Sequence, residues 1–178
     1  PGRRVAVVPE YLREFCHRAG RTPRLDEQAG IAAQQSLRIA EAARSHEIVV
    51  ADTTALMIAV YSEQVFGDTS LYDSALADHA RSSLTLLTAL DLPWQADGLQ
   101  RDGPHVREPV DALVRAALAR AAIDCAVVFG QGPQRLANAL AAVQRALHPP
   151  QDDGTKRWQW VCDRCGDAGC ERHWLASL

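Results

Sequence analysis

Asp52 closes the apolar run Ile48-Val49-Val50-Ala51 and is followed by Thr53 and Thr54. A carboxylate at the carboxyl end of a strand can hold Mg²⁺ through water or accept a proton from a substrate hydroxyl. Asp52 or Thr53 can equally cap the next helix, and the two roles are compatible. A second group, Glu10, Arg13 and Glu14, follows the apolar run Val5–Val8. At helical spacing these side chains are neighbours, Glu10 and Glu14 share an i,i+4 face with Arg13 at i+3 from Glu10, and a solvated ion-pair face satisfies the pattern.

A third group lies between Asp91 and Glu108. Trp94 can stack on a flat ring, and Asp97 can accept a hydrogen bond from a sugar or an amide. Arg101 and Arg107 can close over phosphates, where guanidinium groups stabilise charge on a phosphoryl group in transfer. The alternative is a surface loop with Trp94 turned into the core. The fourth group is Cys162, Cys165, Cys170 and His173, spaced C-x2-C-x4-C-x2-H. Such a set fits a closed, structural Zn²⁺ site with no open coordination position. Free cysteines in a tail are the alternative.

Four apolar runs predict the strands that carry these residues: Val5–Val8, Ile48–Ala51, Leu84–Leu90 and Cys125–Phe129. Each is apolar on successive residues, the pattern of a parallel strand covered on both faces. Helices are expected between them. One is capped by Asp26 and runs to about Ser45; the next spans Thr54 to Phe66 and stops near Gly67. Others are expected over Asp73–Ser83, from the Pro109 turn to about Ala122, and from Gly132–Pro133 to before Pro149. Strands alternating with helices predict an α/β fold with a parallel sheet over residues 1–150 and a Cys/His tail over 151–178.

The composition is that of a single globular domain: 178 residues, 47% hydrophobic, 23% charged, net charge −3. That balance argues against a general nucleic-acid or anionic-membrane binder. No apolar run reaches the roughly 18–20 residues that span a bilayer. Five cysteines, an odd number, and no visible secretory signal point to a cytoplasmic protein without a disulfide framework. Cys16 and Cys125 read as small core residues. A homo-oligomer is compatible with the sequence, which does not specify one.

Several segments in order carry a resemblance. They are Val8-Pro9-Glu10-Tyr11-Leu12-Arg13-Glu14, Ala51-Asp52-Thr53-Thr54 and Tyr61-Ser62-Glu63-Gln64-Val65-Phe66-Gly67. Pro93-Trp94-Gln95-Ala96-Asp97-Gly98-Leu99 follows, with Arg101-Asp102-Gly103-Pro104 and Arg107. Together, over most of residues 5–147, they resemble the NadR-like ribosylnicotinamide kinase family, an AAA-type P-loop ATPase/kinase group. The resemblance implies a P-loop kinase fold that transfers the γ-phosphoryl of ATP, with Mg²⁺, to the 5′-hydroxyl of nicotinamide riboside. It implies a Mg²⁺- or hydroxyl-orienting role for Asp52 and substrate-side roles for Glu10 and Arg13. Trp94 and Asp97 become part of a nucleoside pocket, and Arg101 and Arg107 become lid arginines. Thr53, Gly130 and Gly132 become cofactor-side residues.

One part of the pattern is missing. No G-x-x-x-x-G-K-[S/T] occurs, and Lys156, the only lysine, lies in the tail. A P-loop enzyme needs that loop to cradle phosphates. The expectation is an N-terminally truncated chain that lacks the phosphate-loop strand and helix and is inactive as it stands. A non-catalytic P-loop-derived module with a zinc tail is the alternative. The missing strand would lie between Ile48–Ala51 and Leu84–Leu90, and an unfilled gap there is unexpected because unpaired buried backbone is costly.

Overall fold

The computed structural model describes residues 2–95 and 103–149. Asp97, Arg101, Cys162, Cys165, Cys170 and His173 lie outside the described residues. The chain divides into two units, Pro1–Ala146 and Leu147–Leu178, and the architecture below is that of the first.

Strands and helices alternate: β1 (Val5–Val8), α1 (Tyr11–Ala19), α2 (Gln28–Ala43), β2 (Ile48–Ala51), α3 (Ala55–Phe66) and α4 (Tyr72–His79). Then come β3 (Leu86–Thr88), α5 (Arg107–Arg120), β4 (Ala126–Val128) and α6 (Gly132–Leu147). Single 3₁₀ turns, Leu25–Glu27 and Pro104–Val106, lead into α2 and α5. Strand pairing is parallel, with β1 beside β2 in the register Val5↔Ile48 to Val8↔Ala51, and β3 beside β4 in the register Leu86↔Ala126 to Thr88↔Val128.

The core is built by helices around α3. The Thr54 hydroxyl caps this helix by accepting from the Leu56 amide at 3.3 Å. Gly67 ends it at φ 69°, a left-handed conformation in which its amide reaches the Glu63 carbonyl. Its first half, Ala55–Val60, is apolar at every position and carries most of the buried residues, whereas Gln64, Val65 and Phe66 near its end are exposed. Ile58, Ala59 and Val60 are fully buried and pack with Ile31 and Ala32 of α2, Tyr72 and Ala75 of α4, and Val114, Ala117 and Leu118 of α5.

Several expectations need correction. Asp26 does not cap α2. It lies inside the 3₁₀ turn, where the Glu27 carboxylate reaches back to the Arg24 amide instead. Neither Asp52 nor Thr53 caps α3, because Thr54 does. Strands β3 and β4 are three residues each, shorter than their apolar runs, and α4 ends at His79 rather than Ser83.

The strands are not covered on both faces. Only Val8 and Val128 among the strand residues are buried, whereas Val5, Val7 and Val50 are at least half exposed. The expected single sheet is two two-stranded sheets, with no strand on the other edge of β2 or of β3 among the described residues. No residue of β2 or β3 is buried, so an unpaired backbone group there can meet water. Cys16 is buried as expected, and burial pushes its thiol pKa up; Cys125 is only partly covered.

Candidate functional site at the carboxyl ends of the strands

The turn after β2 has an unusual backbone, shared among the described non-glycine residues with Ala122 alone. Thr53 has φ 67°, a left-handed conformation that a β-branched residue rarely adopts. Holding such a residue there costs about 1–3 kcal/mol and requires surroundings that enforce it. Gln35 of α2 does so. Its side chain is fully buried, its Nε2 donates to the Thr53 carbonyl at 3.3 Å, and its Oε1 accepts from the Tyr11 amide at 2.8 Å. One amide side chain therefore ties the turn after β2 to the first turn of α1 after β1.

Asp52 continues the β1–β2 ladder by donating its amide to the Val8 carbonyl at 2.8 Å, while the residue itself is exposed. The Thr53 hydroxyl beside it is buried and has no hydrogen-bond partner among the described residues. A left-handed backbone, an unpartnered hydroxyl and an exposed carboxylate thus fall on two adjoining residues at the end of β2.

Around α1 the charges are paired. Arg13 lies 3.6 Å from Glu10, whose side chain is largely covered. Glu14 takes Arg38 at 2.5 Å and Arg18 at 3.7 Å, and the Arg38 hydrogen bond holds its carboxyl below the usual range. Arg38 also stacks on the Tyr11 ring at 4.5 Å. Glu10 and Glu14 are thus each paired with an arginine.

The second cluster joins the ends of β3 and β4. Asp91 accepts from the Gly130 amide at 2.5 Å and from Arg135 at 2.8 Å, and Arg135 also donates to the Gly130 and Ala89 carbonyls. The Arg135 hydrogen bond, with that of Gly130, lowers the Asp91 pKa. Gly130 sits at φ 88°, and a Cβ there would press on the Gln134 side chain at 3.1 Å. Arg107, at the start of α5, donates to the Leu92 carbonyl at 2.9 Å and so fastens the two ends of the 92–106 connection. Trp94 is half-buried, and its indole N–H is buried without a partner among the described residues.

His79 bridges toward β3, with Nδ1 2.9 Å from the Thr54 hydroxyl and Nε2 2.9 Å from the Thr85 hydroxyl. Burial lowers its pKa and favours the neutral ring. Sequence reasoning singled out Asp52, Thr53, Trp94, Arg107 and Gly130 but missed Gln35, His79, Asp91 and Arg135. Gln35 left a legible trace, a polar residue four positions after Ile31 on the buried side of α2. His79 left none, because its partners come from two other segments.

No three Asp, Glu, His or Cys side chains converge on a metal site among the described residues. A Mg²⁺ shared with nucleotide phosphates and water needs only one or two carboxylates. Exposed Asp52 and the unsatisfied Thr53 hydroxyl fit that arrangement. No helix among the described residues is long and apolar enough to cross a membrane. A family model described as an AAA domain matches residues 2–135. No curated protein matches the chain.

Proposed function

The chain belongs to the AAA-domain family of P-loop-type nucleotide-binding proteins, and from that premise we propose that it forms part of an ATP-dependent nucleoside kinase of the ribosylnicotinamide type. The observation that carries the reading is the strained Thr53 with its orphan hydroxyl beside exposed Asp52. In this reading Asp52 orients the 5′-hydroxyl of the nucleoside or holds Mg²⁺ through water.

Glu10 and Arg13 contact the nucleoside side of the pocket. Trp94 stacks on the base and offers its unpartnered N–H to an acceptor, and Asp97 belongs to the same nucleoside pocket by resemblance. Arg101 and Arg107 act as lid arginines, and Gly130 and Gly132 line the adenine side. The two fixed ends of the 92–106 connection support a lid role, since a loop that closes over substrate needs anchored hinges.

The reading also requires a glycine-rich phosphate loop with Lys and Ser/Thr, which these 178 residues do not contain. The open edges of β2 and β3 and the uncovered Val5, Val7 and Val50 favour a further strand and helix packing there. The Cys162, Cys165, Cys170 and His173 spacing supports a structural Zn²⁺, tested by metal analysis of protein purified without chelator.

Kinase activity is tested with the product of the whole gene, nicotinamide riboside and Mg-ATP, following the phosphorylated nucleoside by phosphorus NMR. Turnover that Asp52→Ala abolishes, with the fold intact by circular dichroism, is the expected result. Normal turnover by Asp52→Ala would refute the role given to Asp52. Nucleotide binding without turnover of any nucleoside would favour a non-catalytic P-loop module.

A further inference from the structure

His79 is the one buried imidazole among the described residues, at 8% exposure, and the kinase reading gives it no part. It closes α4 and joins the turn after β2 to the start of β3, two strands that belong to separate sheets. Its Nδ1 lies 2.9 Å from the Thr54 hydroxyl and its Nε2 lies 2.9 Å from the Thr85 hydroxyl. Thr54 is the N-cap of α3, two residues after Asp52. Thr85 adjoins β3, and its carbonyl accepts from the Ala126 amide at 2.8 Å.

Counting hydrogen bonds assigns the protons of this bridge. A hydroxyl has one proton to donate. The Thr54 oxygen already accepts from the Leu56 amide at 3.3 Å, the bond that caps α3. Its own proton then goes to His79 Nδ1, the remaining partner of that hydroxyl among the described residues. Nδ1 is therefore an acceptor, and the neutral ring carries its proton on Nε2, which donates to Thr85. Burial pushes the ring pKa down and keeps the ring neutral. In the opposite tautomer Nδ1 would donate to Thr54, and the hydroxyl proton would lose its acceptor.

The turn that bears Asp52 is thus held at three consecutive residues. The Asp52 amide is fixed on the Val8 carbonyl, and the Thr53 carbonyl on the Gln35 side chain. The Thr54 hydroxyl is fixed on His79 from α4. A group that must meet a reacting atom works only if its carrier is held to a fraction of an ångström, so each anchor bears on what Asp52 can do.

We propose that His79 is a positioning residue for the candidate site: its Nδ1 lone pair holds the Thr54 hydroxyl, and with it the Asp52–Thr53 turn, while Thr85 fixes the ring in the tautomer that can do so. His79 acts through Thr54 and takes no part in proton transfer to a substrate. Its consequence for phosphoryl transfer rests on the kinase reading; the bridge itself does not.

Nitrogen NMR of the full chain labelled at its histidine rings reads the tautomer at about pH 8, above the ordinary histidine pKa. The His79 signals are those lost in His79→Asn, and the Nε2–H form is expected. Two variants separate the arms of the bridge. Asparagine places a carbonyl oxygen where Nδ1 stands, so His79→Asn keeps the Thr54 contact. Glutamine places an N–H where Nε2 stands, so His79→Gln keeps the Thr85 contact alone. Exchange of the Leu56 amide should be about fivefold faster in His79→Gln, the size of one net hydrogen bond, and close to the parent rate in His79→Asn. In the product of the whole gene, His79→Gln should lower kcat about tenfold or more while the KM for ATP stays within about threefold, and His79→Asn should keep most of the turnover. A residue that served stability alone would lower the melting temperature of both variants without separating them in exchange or in kcat. The Nδ1–H tautomer, equal Leu56 exchange in the two variants, or parent-like turnover by His79→Gln would overturn the proposal. Absence of turnover in the parent would instead count against the kinase reading, and the tautomer and the exchange rates would still decide the role of His79.

Discussion

Replacing Gln35 by Leu should loosen the turn that carries Asp52 and Thr53. The Gln35 side chain is fully buried and makes two bonds, from the Tyr11 amide at 2.8 Å and to the Thr53 carbonyl at 3.3 Å. Leucine fills a similar volume but satisfies neither group. An unmet buried donor or acceptor costs about 1–3 kcal/mol, and the longer bond belongs at the low end. The two together come to about 2–4 kcal/mol, of which the apolar side chain returns about 1 kcal/mol by burial. The net loss is therefore about 1–3 kcal/mol, or roughly 3–10 °C in melting temperature for a chain of this size.

Gln35→Glu sharpens the test. In its protonated form the introduced carboxyl can still donate to the Thr53 carbonyl and accept from the Tyr11 amide; once ionised, it cannot donate and is a buried charge. Burial raises its folded pKa above the unfolded value of about 4.3, so stability is retained below that pH and lost as pH rises through the folded pKa. Urea unfolding followed by circular dichroism measures both variants. A Gln35→Leu protein within about 0.5 kcal/mol of the parent would refute the claim that this amide holds the strained turn.

Ile58→Ala, at the fully buried centre of α3, should cost about 2–5 kcal/mol in urea unfolding. Arg21 and the Arg24 amide hold the Glu27 carboxyl down at about 2. Its contribution is therefore present above about pH 4.3 and lost as pH falls through about 2, and Glu27→Gln should flatten the stability profile in that window. The His79 pKa is lowered, so its contribution is full above about pH 6.5 and declines as pH falls below it toward the folded value. His79→Gln should remove that slope in thermal melts, and an unchanged slope would assign it to another group.

The strands β1 and β2 were legible to the residue, because short β-branched runs bounded by polar turns admit few other readings. The helical core was legible too, since α3 is apolar at every position from Ala55 to Val60. Strand pairing was not legible in full. Apolar runs predict a strand but not whether its second edge finds a partner, and β2 and β3 do not find one among the described residues. Cap chemistry misled at Asp26, where a 3₁₀ turn and Glu27 competed for the same helix start.

At the site, residue types that carry charge or a ring at a strand end announced themselves, as Asp52 and Trp94 did. Residues that act by satisfying backbone groups across the sequence did not. Gln35 reaches Tyr11 and Thr53 over separations of 24 and 18 residues, and Arg135 reaches Asp91 over 44. Such contacts are decided by packing, which a single sequence does not display.

The most direct test of the account is calorimetric titration of Mg-ATP into the product of the whole gene and into its Asp52→Ala variant. The account predicts one saturable nucleotide site in the parent protein and a Mg²⁺ dependence that the variant loses. No nucleotide binding by the parent protein would contradict it and leave the AAA-domain kinship as a statement of ancestry alone.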